Sequence, residues 1–497
     1  MHPLHVVWFK HDLRLRDHAP LKEALQHGQA VLLLYIWEPT LLADPHYSTR
    51  HWAFVRQSLD CLNEQLQSFG TSVCEVVGEV QEVFEKLHAA APVQILYSYE
   101  ESGLRITWQR DKAVKQFCQE NQIPWRDFQH NGVQRGLSSR KTWVKDWHSY
   151  MESPQDQPYL SRLSTVSVSI ELPFESVPEL LKNLPADRKT TAFQPGGERA
   201  AHRYMESFFD QRSAQYSKSI SKPEASRRGC SRLSPYLAWG NVSVRMVYQR
   251  FRVAMQAGII SKRNLNSFAS RLVWHCHFIQ KFESESRIEF ENLNRGYDVQ
   301  KKEFRADLFQ AWAQGYTGFP LVDACMRCLH HTGYINFRMR AMVVSFLTHL
   351  LWQPWKEGAV YLASLFLDFE PGIHYAQFQM QTGVTGINTV RIYNPVKQSY
   401  EQDAEGIFIK KWVPELANCP LPFLHEPWKM TAMEQAMYGL HLDEVYPKPI
   451  VELENAHRLA RTRIWAMRQE PLVKQEGARI LKKHVVPSRK IIRINAN

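Results

Sequence analysis

The sequence predicts a doubly wound α/β domain built on a parallel sheet, followed by a large all-α domain. Three observations carry this. Across 1–132 short apolar runs alternate with segments of helical period, 133–199 loses any sustained apolar period in its later part, and 200–470 is helical in period almost throughout. A basic tail, 471–497, closes the chain. At 497 residues there is ample length for two separate cores.

The elements follow in order. Runs at 5–9, 31–37, 73–77, 95–99 and 124–128 read as strands. Between them Trp52, Val55, Leu59, Leu62 and Leu66 recur at helical spacing, as do Val80, Val83, Phe84 and Leu87, then Trp108, Val114 and Phe117. Strands alternating with helices give a sheet covered on both faces, with ligands expected at the strands' carboxyl ends. No glycine-rich phosphate loop follows any strand, which argues against an ordinary NAD or ATP site. Prolines at 154, 158, 173, 178, 185 and 195 mark a connector wrapping the surface. Helices then read at 236–251, 265–282, 304–314, 321–331 and 339–351. Beyond Glu470 the tail sets Lys474, Arg479, Lys482, Lys483, Arg489, Lys490 and Arg493 against Glu476 alone. It reads as solvated and partly disordered, with a nucleic-acid or partner contact as the alternative.

Lys and Arg total 61 against 50 Asp and Glu, a net charge of +11, which favours a polyanionic partner. Fifteen Trp suit either aromatic cores or stacking on flat ligands and electron hopping. The eight cysteines are scattered, so free thiols in a reducing cytoplasm are expected. Cys325 and Cys328 have metal-ligand spacing, but no matched second cluster accompanies them, so ordinary helix thiols and no metal site are expected. The longest apolar run, 30–37, is far short of a membrane span, and no basic-then-apolar leader precedes the first strand.

Read from the residues alone, Asp12, Arg14, Arg16 and Asp17 form an ion-paired loop. Ser231 and Ser234 before Pro235 open a helix, where they serve as caps or meet a phosphate. Arg338 and Arg340 diverge on a helix to serve different surfaces. Asp368 and Glu370 precede Pro371-Gly372, which reads as a turn.

The opening Val7-Trp8-Phe9-Lys10-His11-Asp12-Leu13-Arg14-Leu15-Arg16-Asp17, together with Gly229-Cys230-Ser231-Arg232-Leu233-Ser234-Pro235-Tyr236-Leu237-Ala238-Trp239-Gly240, resembles the photolyase and cryptochrome flavoproteins. The blocks 312–324, 332–340, 355–358, 367–374, 391–398 and 412–416 continue the match in order, covering roughly 4–130 and 200–465. The resemblance implies an N-terminal domain able to hold an antenna chromophore of unknown identity, and a helical FAD-binding domain. Tyr216, Cys230, Ser231, Arg232, Leu233, Ser234, Arg340, Asp368, Glu370 and His374 would hold FAD. Arg271, Trp274, His275, Arg338, Lys397 and Gln398 would meet DNA. Trp274, His374 and Trp355 would act in catalysis. It further implies a monomer that repairs cyclobutane pyrimidine dimers in light by electron transfer to an extruded lesion, or alternatively a blue-light photoreceptor without repair.

The chain departs from the family pattern at informative places. Phe337 stands where relatives place a lesion-facing Asn, and Arg271 where they place an acid. The histidine pair of (6-4) photolyases aligns with Phe337 and Ala341, which disfavours that subclass. The chain is two residues shorter between Asp368 and Gly383, leaving His374 as the candidate opposite flavin N5, titrating near neutrality. Of the three-tryptophan electron chain only Trp355 matches. The flavin-proximal position falls near Phe378 and the surface one near Lys302 or Phe304, with Trp352, Tyr361, Tyr375 and Tyr393 as replacements.

Overall fold

A computed structural model describes residues 4–26, 29–168 and 192–485. Five parallel strands, β1 (Leu4–Phe9), β2 (Ala30–Trp37), β3 (Cys74–Val77), β4 (Val93–Tyr99) and β5 (Trp125–Phe128), form a sheet in the order β3-β2-β1-β4-β5. β1 is buried along its whole length, as expected of a central strand covered on both faces. Val6 and Trp8 point to one face, into a small core with Val83, Phe84 and Phe117. Val7 and Phe9 point to the other, into a core that runs without a break into the helical domain. The two domains therefore share one interior.

Polar groups reinforce that seam. Leu13 N–H donates to Trp239 O, Arg14 Nη1 to Gly240 O at 3.0 Å, and Asn241 Nδ2 to Leu13 O at 2.9 Å. Asp17 pairs with Arg245, and Glu198 accepts from Leu15 N–H at 3.0 Å. The Asp12–Asp17 loop is ion-paired, but largely to the other domain. Gly240, at φ 67, sits against the backbone of His11 and Asp12. Its turn splits the helix expected over 236–251 into Ser234–Ala238 and Val244–Ala257.

Two further expectations change. Within the stretch read as connector, the helix Trp143–Glu152 buries Trp143, Val144, Trp147 and Met151; 169–191 lie outside the described residues. As far as Val485 the basic tail docks along one face, although most of its residues stay exposed. Pro471–His484 is a helix whose Val473, Gly477, Ile480 and His484 are buried, a spacing that lets an otherwise charged segment dock. His484 Nε2 lies 2.6 Å from Glu285, which also pairs with Arg287 and Arg479. His484→Ala is expected to cost this helix about 1–3 kcal/mol. The check is hydrogen exchange, faster across 471–485 and unchanged in the sheet. The final twelve residues fall outside the described residues, and no described helix is long and apolar enough to cross a membrane.

Candidate functional site

The helices Lys262–Ser284 and Pro371–Gln381 cross closely because Gly372 has no side chain; a Cβ there would stand 2.7 Å from Ile279 Cα. Beside this crossing opens a cavity of about 620 Å³, within the range of sites for sizeable organic ligands. One wall is a single face of the first helix, with Arg271, Trp274, His275 and Phe278 at i, i+3, i+4 and i+7. Tyr216, Cys230, Ser231, Arg232 and Ser234 form the floor. Arg340, Asp368 and Glu370 close the far side.

Arg340 Nη2 lies 2.9 and 2.8 Å from the two Asp368 oxygens, and its guanidinium sits 3.9 Å over the Phe366 ring. Burial alone would raise the Asp368 carboxyl, but Arg340, the Ser234 hydroxyl and Arg232 outweigh it and hold it below the usual range. Glu370 has no such partner. Burial and the charge of Glu101 push it up to about 8, so this acid is protonated at neutral pH. Glu370 is also the residue before the helix Pro371–Gln381, so Pro371-Gly372 starts a helix and does not form the expected turn. The Cys230–Leu233 loop is clamped by Arg212, which donates to the carbonyls of Cys230 and Ser231. Arg232, at φ 60, lies 3.7 Å over the Tyr334 ring.

Two buried polar atoms on the cavity wall, Arg232 Nε and Asn336 Oδ1, have no partner among the described residues. Buried polar groups are ordinarily paired, so these mark a surface built to meet a ligand. Arg232, Arg271 and Arg391 supply donors suited to phosphate oxygens, while Trp274, Phe278, Ile373 and Ile387 suit a flat ring. A flavin dinucleotide matches both halves of that wall.

Most predicted site residues line this cavity. Leu233 does not; it is packed in the core. Trp355 does not either; it is buried, its Nε1 donating to Asn292 Oδ1 at 2.9 Å. His374 lines an adjoining cleft that shares Arg340, Asp368 and Glu370 with the cavity. Its Nε2 donates to Ala359 O at 2.8 Å, and burial pushes its pKa down to about 3. The near-neutral titration expected of His374 is therefore corrected: its ring is neutral and its one N–H is committed to the backbone. Arg338, Lys397 and Gln398 stand outside the cavity, with Arg338 Nη1 3.3 Å from Gln398 Oε1 and the Lys397 side chain largely exposed. Phe337 is 44% exposed at the mouth beside exposed Arg271 and Arg391. Reading by motif missed Ile373, Gln377 and Gln381, whose i, i+4, i+8 spacing was the available signal, and Asn388 and Thr389, which had none.

At the carboxyl ends of β1 and β4, where ligands dock on such sheets, Arg110 instead pairs with Glu38, Glu101 and Asp111, and Lys10 approaches Glu101 and Asp111. The space left there is about 40 Å³.

The family model for the DNA photolyase domain matches residues 5–135, and that for the FAD binding domain of DNA photolyase matches 268–466. A deoxyribodipyrimidine photo-lyase of Alkalihalophilus pseudofirmus is 27% identical over 90% of this chain and 95% of its own. A cryptochrome DASH of Synechocystis is 28% identical over 91% and 96%. The crystal structure of a bacterial class III photolyase from Agrobacterium tumefaciens superposes with a TM-score of 0.81 at 24% identity, over 95% of this chain and 98% of that one.

Proposed function

The chain belongs to the photolyase/cryptochrome family, and from that premise we propose that it holds FAD in the large cavity and repairs cyclobutane pyrimidine dimers in DNA under light. The observation that supports this reading most is the cavity itself: large, lined by arginines, with two buried polar atoms awaiting partners, and open at a mouth of exposed basic and aromatic side chains. Bound there, FAD supplies the light-excited electron that splits the dimer and takes it back.

The chain's residues do the rest. Arg232 and Arg271 bind the pyrophosphate, and Asp368, kept anionic by Arg340, accepts hydrogen bonds from the ring or ribityl chain. Protonated Glu370 donates one instead. Trp274 and Phe337 at the mouth stack on the extruded bases and exclude water. Arg338, Lys397 and Arg391 meet phosphates, which position the protein without reading sequence. An antenna pigment at the ends of β1 and β4 does not fit the side chains as they stand, since ion pairs fill that place.

One observation favours the photoreceptor reading: an exposed phenyl ring, Phe337, stands where relatives place an amide that reads the lesion. The deciding experiment is illumination of the photoreduced protein with DNA carrying cyclobutane dimers. Flavin in the purified protein with dimer loss in light and none in darkness is the expected result. Flavin with reduction verified and no dimer loss overturns repair in favour of the photoreceptor.

A further inference from the structure

Three buried basic side chains gather beside the cavity with no acid of their own. His277 and Lys281 lie one turn apart on the helix Lys262–Ser284, and Arg140 comes from the loop before Trp143–Glu152. They are 9%, 6% and 3% exposed. Arg140 is set in place: its guanidinium lies 5.3 Å over the Trp143 ring, and Trp143 Nε1 donates at 3.1 Å to Gln280 Oε1, next to Lys281 in the chain. Arg140 Nη1 is 3.4 Å from His277 Nδ1. A guanidinium only donates, so Nδ1 accepts and Nε2 carries the ring proton. Burial, helped by the charges of Lys281 and Arg140, holds His277 well below its ordinary pKa, so the ring is neutral.

The donors of this group go unanswered. Among the described residues Arg140 Nη2 has no hydrogen-bond partner, and neither His277 Nε2 nor Lys281 Nζ has an acceptor. Glu285, the acid whose charge reaches Lys281, is already shared among Arg287, Arg479, Lys483 and His484. No acid supports Arg140. Burial pushes it down to about 9, and burial with the charge of Arg140 pushes Lys281 down to about 8, so both carry a proton at neutral pH. A buried charge without a partner is costly, and an arginine does not escape that cost by giving up its proton.

We propose that Arg140, His277 and Lys281 bind a small oxyanion, a free phosphate or sulfate ion. Guanidinium Nη2, imidazole Nε2–H and the ammonium offer N–H donors only, which suits an ion whose every oxygen accepts. The low exposure of all three leaves no access for a nucleic-acid strand, which sets this place apart from the basic side chains at the cavity mouth. The His277 ring stands at 81° to that of Trp274 on the cavity wall, with centroids 5.2 Å apart, so the bound ion braces that wall from behind.

The test is thermal unfolding of the flavin-loaded protein, whose cavity is filled, in phosphate against chloride at matched pH and ionic strength. Phosphate is expected to raise the midpoint by about 2–4 °C, and glycerol phosphate, too large for the nook, by less than about 1 °C. Arg140→Met and Lys281→Met should each abolish the rise, while Arg391→Gln at the cavity mouth keeps it. In chloride Arg140→Met should melt no lower than the parent, because it removes a charge that has no partner, whereas loss of a purely structural arginine lowers the midpoint. A second measurement does not depend on unfolding: the ³¹P line of inorganic phosphate should broaden with the parent protein and sharpen again with Lys281→Gln. No rise and no broadening with the parent overturns the proposal. So does a rise that survives both Met variants or disappears in Arg391→Gln. An equal rise with glycerol phosphate overturns the restriction to a free ion.

Discussion

Gly240→Ala is expected to lower the unfolding free energy by about 3 kcal/mol, far more than a surface change of one methyl group. A Cβ at Gly240 would stand 2.1 Å from His11 O and 2.5 Å from Asp12 Cα. Both are backbone atoms, so neither can swing aside, and the residue also sits at φ 67, where an L side chain is strained. Relief requires the loop after β1 to retreat from the helical domain, which lengthens the bonds from Arg14 to Gly240 O and from Asn241 to Leu13 O. The matched control is Gly258→Ala. Gly258 has φ 69 with nothing within 4 Å of the added atom, so it carries the strain alone, about 1–2 kcal/mol. Chemical denaturation of both variants decides the matter, and equal losses would mean that the domain seam yields.

Arg340→Met is expected to destabilise the ligand-free protein at neutral pH by about 3–5 kcal/mol and to abolish flavin retention. The Asp368 side chain is 5% exposed and Arg340 is its principal partner, so the variant strands a buried charge. The pH dependence gives the sign. In the parent protein the Asp368 carboxyl is held below its ordinary value, so its stabilisation is present above the unfolded-state pKa and fades as pH falls through the folded one. In the variant burial acts unopposed by Arg340, the folded pKa rises, and stability should increase as pH falls from 7 toward 5. Denaturation midpoints across that range, together with flavin content, test it. A variant whose midpoint changes across that range in parallel with the parent contradicts the pairing.

The parts of this molecule that were legible in the sequence are those fixed locally or carried by contiguous motifs. The five strands appear within about two residues of their expected positions because a sheet covered on both faces demands apolar runs. Arg232, Ser234, Arg340, Asp368 and Glu370 were found through the blocks that resemble flavoproteins, and they do line one cavity. The break at Gly240 was missed because its cause is another domain's backbone, not any preference of residues 236–251. The terminal helix was missed because its charges outweighed the spacing of Val473, Gly477 and Ile480. Burial decides the charge of His374 and Glu370, and nothing in their neighbours along the chain reports it. Arg140 and His277 lie 137 positions apart, beyond any periodicity.

The shared interior has a consequence for synthesis. β1 and its loop emerge from a ribosome well before the helical domain, and Arg14 must wait for Gly240, 226 residues later, before it can donate its hydrogen bond there. At about 5–20 residues per second that interval is roughly 10–45 s. During it the apolar face of the sheet carrying Val7 and Phe9, later covered in part by the helical domain, is exposed to the cell. Until the second half of the chain arrives, that face of the sheet lacks the cover the helical domain gives it, which is the kind of exposed apolar surface that makes a partly made chain prone to aggregate.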